Sequence, residues 1–197
     1  WSTASWNADS SIHVWIHMFL ASFLISLGLY HSVAFLPSRD VTNFLMSVFL
    51  VGVALLGGFS SGVIGGVLFR GHAPWSSLWL FQSAMMVAAA AAVELQSRVL
   101  DAATHAPGAN RICRVCGILF LVTAGLGPFL PWVITMLASQ CIAGVFLLPA
   151  IVIYKARWKH GGMAVRYCVL GMGMIVLVSC AYLYSIPVIG VPDPPLW

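Results

Sequence analysis

The stretch Ile12–Asp40, IHVWIHMFLASFLISLGLYHSVAFLPSRD, decides the fold. From Ile12 to Leu36 it contains no Asp, Glu, Lys or Arg. Pro37-Ser38-Arg39-Asp40 then removes an amide donor and adds two charges that need water. A bilayer core about 30 Å thick takes roughly 20 apolar helical residues, so the run is long enough to cross a membrane.

The same alternation of run and break continues to the end of the chain. Val41 to Phe69 closes at Arg70-Gly71-His72-Ala73-Pro74 and is longer than a perpendicular span needs, so tilt or fraying is expected. The third run opens at Trp75 with Trp79 one turn on, passes Ala88 to Ala92 and reaches an interface at Glu94, Gln96 and Arg98. Asp101 to Arg111 reads as the longest polar connection.

Ile112 to Leu126 is followed by Gly127-Pro128-Phe129-Leu130-Pro131 and a run from Trp132 to Tyr154. One kinked helix over that whole stretch would overshoot the bilayer about twofold, so two spans joined by a turn are expected. Lys155 to His160 closes the fifth span and Met163 to Ile186 makes the sixth. The tail 187–197, with Pro187, Pro192, Pro194 and Pro195, is expected to be extended. The reading is an all-α, polytopic integral membrane bundle forming a single domain over 1–197. It has about six spans, near 12–36, 41–69, 75–98, 112–127, 131–154 and 163–186.

Composition agrees with this class. The 197 residues are 61% hydrophobic and 7% charged, against about 25% charged in soluble proteins, too little polar surface to coat a water-soluble globule. Under the six-span segmentation, Arg39, Arg98, Arg111, Arg114, Lys155, Arg157, Lys159 and Arg166 share one face, and only Arg70 of the 9 basic residues lies on the other. The positive-inside rule makes the crowded face the cytoplasm, matrix or stroma and turns both termini outward. A net charge of +4 gathered there meets anionic lipid before nucleic acid, and no basic stripe with interleaved aromatics suits a nucleic acid.

Five cysteines, mostly within apolar runs, read as free thiols rather than a disulfide framework, and the redox compartment stays open. The opening residue is Trp1 and not Met, which fits a fragment or a mature form whose leader has been removed. An organelle or bacterial inner membrane is therefore expected, the mitochondrial inner membrane among them, with an endomembrane as the alternative.

Several residue groups could carry chemistry. His13 and His17 share one helix face, Asp9 lies one turn back, and His72 is placed at the same outer face, a set able to bind zinc or copper or to serve as interfacial polar residues. His17 and His31 return to nearly the same face about 21 Å along one helix. This resembles half of the pattern by which cytochrome b holds two haems. The other half is missing, since His72, His105 and His160 fall in connections, so a haem would draw ligands from a second copy or a partner.

Cys113 and Cys116 form a lone CxxC beside Arg111 and Arg114, without further zinc ligands or a βαβ context. Glu94 and Arg98 are spaced for an ion pair at the inner end of span three. Gly58, Gly62 and Gly66, with Ser61 in the parallel row Gly57-Ser61-Gly65, form a small-residue helix-packing face, either towards the alanine run of span three or towards a partner.

No acidic or basic residue lies near mid-membrane, so an ion-coupled carrier lacks its usual groups. These features point to a non-catalytic accessory subunit of a respiratory or photosynthetic membrane complex, with bound lipids and other membrane subunits as partners. The alternatives are a small lipid or isoprenoid enzyme using the outer-face His/Asp group, and an electron-transfer subunit binding b-type haem or quinone.

Overall fold

The computed structural model describes residues 3–60, 75–160, 162, 163, 165–167, 169–171 and 173. No strand occurs among them. The elements are α1 (Thr3–Ser38), α2 (Val41–Ser60), α3 (Trp75–Val99), α4 (Ala102–His105) and α5 (Pro107–Leu126), then a 3-10 turn at Gly127–Phe129 and α6 (Trp132–His160). The chain divides into two compact units, Trp1–Ala91 and Ala92–Trp197.

In the first unit α1 and α2 form a hairpin through the PSRD break, and its chemistry is local. Arg39 takes φ 53, the left-handed conformation that ends a helix, and its N–H closes on Phe35 O at 2.8 Å. Asp40 Oδ1 accepts the N–H of Thr42 at 2.9 Å, capping one of the first orphan amides of α2. The charges that read as a break are thus the capping residues of a tight reversal.

Close approach holds this unit together. A Cβ built on Gly28 of α1 would stand 3.0 Å from Val51 Cγ2 of α2. One built on Gly52 of α2 would stand 2.6 Å from the Cβ of Ala88 on α3. Gly52 therefore makes the contact between a span-two glycine and the alanine run. Of the glycine face read from sequence, Gly58 lies within α2, while Ser61, Gly62 and Gly66 lie outside the described residues.

The second unit begins at the end of α3. Asp101 takes φ 46, turning the chain into the single turn α4, and Ala106 leads into Pro107 at the first turn of α5, where its missing N–H costs nothing. The stretch Asp101 to Arg111, expected as a polar connection, is therefore largely helical, and α5 starts five residues before Ile112 (112 − 107). Asn110 and Cys113 face the core while Arg111 and Arg114 stay exposed, so the polar residues there mark one face of a helix. His105 and His160, expected in connections, are the last residues of α4 and α6.

The turn at Gly127–Phe129, with Leu130 extended, separates α5 from α6. These helices bury Cys113, Cys116, Phe146, Ala150 and Ile153 in one cluster with Val93, Leu100 and Ala102. Outside that core their surface is apolar: Ile118, Leu121, Leu148 and Ile151 are all exposed. Such a surface is stable only against lipid or another apolar partner.

Among the described residues three helical stretches are long and apolar enough to cross a membrane, Met18–Ser38, Pro107–Phe129 and Val133–Trp158. At 1.5 Å per residue the 21 residues of the first cover about 31 Å, matching the hydrocarbon core. The protein is a helical integral membrane protein.

Candidate functional site

The densest polar grouping among the described residues lies in the second unit, where the end of α3, α4, the start of α5 and the end of α6 meet. Helix spacing places Glu94 and Arg98 on one face of α3, and Arg98 Nε donates to Glu94 Oε1 at 2.9 Å. A third group comes from α5. Arg114 Nε stands 3.3 Å from Glu94 Oε2, and its Nη2 donates to Ser97 Oγ at 3.5 Å. One carboxylate thus serves two guanidiniums on different helices. The side chains are partly exposed (28% for Glu94), so screening limits each pair to about 1 kcal/mol or less.

Two residues on, Gln96 is 2% exposed, and Tyr154 of α6 donates to its Oε1 at 2.9 Å. This tie is buried and stands to lose more, since an orphaned buried acceptor costs about 1–3 kcal/mol. The third tie runs from α4 to α6. Thr104 Oγ1 donates to Asp101 Oδ1 at 2.9 Å, His105 Nδ1 lies 3.1 Å from Asp101 O, and Arg157 Nη1 lies 2.9 Å from His105 Nε2.

A backbone carbonyl only accepts, so His105 Nδ1 donates to Asp101 O, and the Asp101 carboxylate Oδ2 lies 3.7 Å from the same nitrogen.

Two buried atoms at this end have no hydrogen-bond partner, Arg157 Nε and Asn110 Oδ1, and Asn110 is 5% exposed. Both residues stand one helical turn beyond members of the shared core, Arg157 after Ile153 and Asn110 before Cys113. Unsatisfied buried polar groups of this kind mark an arrangement held below its hydrogen-bonding capacity.

The groups picked out by sequence lie elsewhere. Asp9, His13 and His17 are on the continuous helix α1, but their side chains lie outside the described residues, as does His72. No group of three or more His, Cys, Asp or Glu able to hold a metal occurs among the described residues. His31 pairs with Asn43 of α2, Nδ1 to Oδ1 at 3.0 Å, and meets Tyr30 edge-on. Ser32 and Ser47 add a second polar link between the same helices at 2.6 Å.

Cys113 and Cys116 are free thiols inside the core of the second unit, and Cys141 is exposed. Arg114, Tyr154 and Arg157 entered the sequence reading only as interface markers or charges. The available signal was their depth, since all three stand at the same predicted membrane face as Glu94 and Gln96.

Helical membrane protein with its polar contacts concentrated at helix ends is the class that this architecture defines. Within that class the chain belongs to the family described as 7TM diverse intracellular signalling, whose model matches residues 13–192. No curated protein and no solved structure matches the chain.

Proposed function

We propose that the chain is a membrane sensory domain that passes a signal to intracellular machinery through relative movement of its helices. The observation that carries this reading is the family match over residues 13–192. The second unit supplies a fitting device: Glu94–Arg114, Gln96–Tyr154 and His105–Arg157 tie α3, α5, α4 and α6 by contacts that a small displacement would break.

Orientation belongs to the same proposal. The face carrying Arg98, Arg111, Arg114, Lys155 and Arg157 is the intracellular one by the positive-inside rule, which puts the three ties where an intracellular effector meets the membrane. The six apolar runs would return both termini to the outer side, whereas seven crossings, as the family description has it, would put them on opposite sides.

The accessory-subunit, lipid-enzyme and electron-transfer readings have no observation of their own among the described residues. Purification of the native chain in mild detergent, with mass spectrometry and an optical spectrum, discriminates between them. The signalling reading expects an intracellular signalling protein or domain in association with the chain. It also expects a changed signalling output in the Glu94→Gln variant at unchanged membrane abundance. A stoichiometric set of respiratory or photosynthetic subunits, or a Soret band, would replace it.

A further inference from the structure

We infer that the end of α6 carries a binding site for an anionic phospholipid. Lys155 and Arg166 take the headgroup phosphate, and the exposed apolar residues Leu148, Ile151 and Val152 take an acyl chain. The site needs neither the signalling role nor an assignment of membrane sides.

Charge balance points outside the chain. Residues 102–192 contain Arg111, Arg114, Lys155, Arg157, Lys159 and Arg166 and no Asp or Glu. The described carboxylates of the second unit are Glu94 and Asp101, and both are engaged elsewhere. Glu94 serves Arg98 and Arg114, while Asp101 accepts from Thr104 and stands beside His105. Arg157 reaches His105 at 2.9 Å, and a histidine supplies no negative charge. Among the described residues no carboxylate forms an ion pair with Lys155 or Arg166. The described part of the chain therefore leaves these two cations to an anion from outside it.

Arg166 is held ready for such an anion. Its guanidinium carbon stands 5.6 Å from the centroid of the Trp158 ring, a cation–π contact between two exposed side chains. A π face attracts the charge without neutralising it. The N–H donors that do not touch the ring remain for a phosphate, which a guanidinium binds through two parallel hydrogen bonds.

The apolar half of the site lies on the same helix face. Lys155 stands one turn before Trp158, and Leu148, Ile151 and Val152 precede Lys155 at the spacings that share that face. They are 72%, 57% and 52% exposed and cover about 10 Å along the axis up to Lys155. Cations and a tryptophan at the end of an apolar stripe are the pattern of a membrane interface. A free phosphate would satisfy the cations and leave the stripe bare. An amphiphile whose negative group adjoins its hydrocarbon satisfies both, and a phospholipid with a net negative headgroup has that form.

The test uses the full chain, delipidated in mild detergent. Phosphatidylglycerol is titrated in and bound copies are counted by native mass spectrometry, with phosphatidylcholine and sodium phosphate as parallel probes. Phosphatidylglycerol should bind on the order of tenfold more tightly than phosphatidylcholine. Lys155→Gln and Arg166→Gln should each weaken it by about five- to tenfold, and Lys155→Arg should keep it. Both positions are exposed, so these changes leave the buried core intact. Arg39→Gln removes an equal charge from the first unit and should leave the affinity within about twofold.

No binding in the parent chain, or phosphatidylcholine binding as tightly as phosphatidylglycerol, overturns the site. An equal loss in Arg39→Gln would make binding a matter of total charge and overturn it as well. Sodium phosphate binding as tightly as the lipid, and lost in Arg166→Gln, would make the occupant a free anion and refute the phospholipid.

Discussion

Replacing Gly52 by alanine tests the packing of the first unit by adding one methyl group where the structure leaves no room. The new Cβ would stand 2.6 Å from Ala88 Cβ and 3.4 Å from Ala84 O. Carbon atoms rest at about 3.5–4.0 Å, so α2 and α3 must part by about 1 Å at this point. Neither atom can rotate away, because each is fixed to a helix backbone. Overpacking of this kind costs about 1–3 kcal/mol, against which alanine recovers up to about 1 kcal/mol of helix propensity over glycine.

The net expectation for Gly52→Ala is a loss of about 1 kcal/mol or more, read by reversible unfolding in mixed micelles. Gly125 of α5 supplies the control. A Cβ there meets nothing within 4 Å, so Gly125→Ala should be neutral or stabilising. Adding Ala88→Gly to Gly52→Ala should restore most of the loss, with a coupling of about 0.5–3 kcal/mol. A Gly52→Ala protein as stable as the Gly125→Ala protein would refute the close approach of α2 and α3.

Tyr154→Phe removes the donor to the buried Gln96 Oε1 and should cost about 1–3 kcal/mol in the same unfolding measurement, whereas a change within error would mean that Gln96 has another donor. Glu94→Gln leaves Arg98 and Arg114 side by side without their shared carboxylate. It should cost about 1 kcal/mol at low salt and less at high salt, and a salt-independent loss would assign the effect to packing. For orientation, p-acetylphenylalanine at the exposed positions Asp40, Ala103, Lys155 and Phe129 can be probed with an impermeant aminooxy dye in sealed vesicles. The first three should react from one face and Phe129 from the other; Asp40 and Ala103 reacting from opposite faces would break the assignment of two crossings between them.

The helical membrane class was legible because it depends on composition and run length, which need no knowledge of contacts. The reversal at Pro37 to Asp40 was legible as a break, and its mechanism is equally local: a left-handed residue and an Asp cap within four positions. The start of α5 was not. Between Asp101 and Arg111 a count of polar residues signals a loop, because composition does not record which face each residue occupies. Asn110 and Cys113 turn inward while Arg111 and Arg114 turn outward. Gly52 was passed over for a similar reason. The spaced glycines at Gly58, Gly62 and Gly66 make the stronger pattern, but close approach is decided by what stands opposite, and opposite Gly52 stands Ala88.

The site shows the same limit more sharply. Residues three and four apart on one helix can be paired from sequence, and that rule produced His13 with His17, Cys113 with Cys116 and Glu94 with Arg98. For Glu94 and Arg98 the rule reached only half of the structure. Arg114, which joins Glu94 to α5, is 20 positions away; Arg157 and His105 are 52 apart, and Tyr154 and Gln96 are 58 apart. Contacts at such separations exist only once helices have packed, so no spacing rule finds them. This bias has a direction. An intrahelical pair moves with its helix and reports nothing about its neighbours, while a tie between helices changes whenever one helix shifts against another. In a domain that signals by helix movement, the informative contacts are therefore the ones that a single-helix reading passes over. A polar residue at a helix end, at the same depth as polar ends on other helices, is the sequence mark by which to look for them.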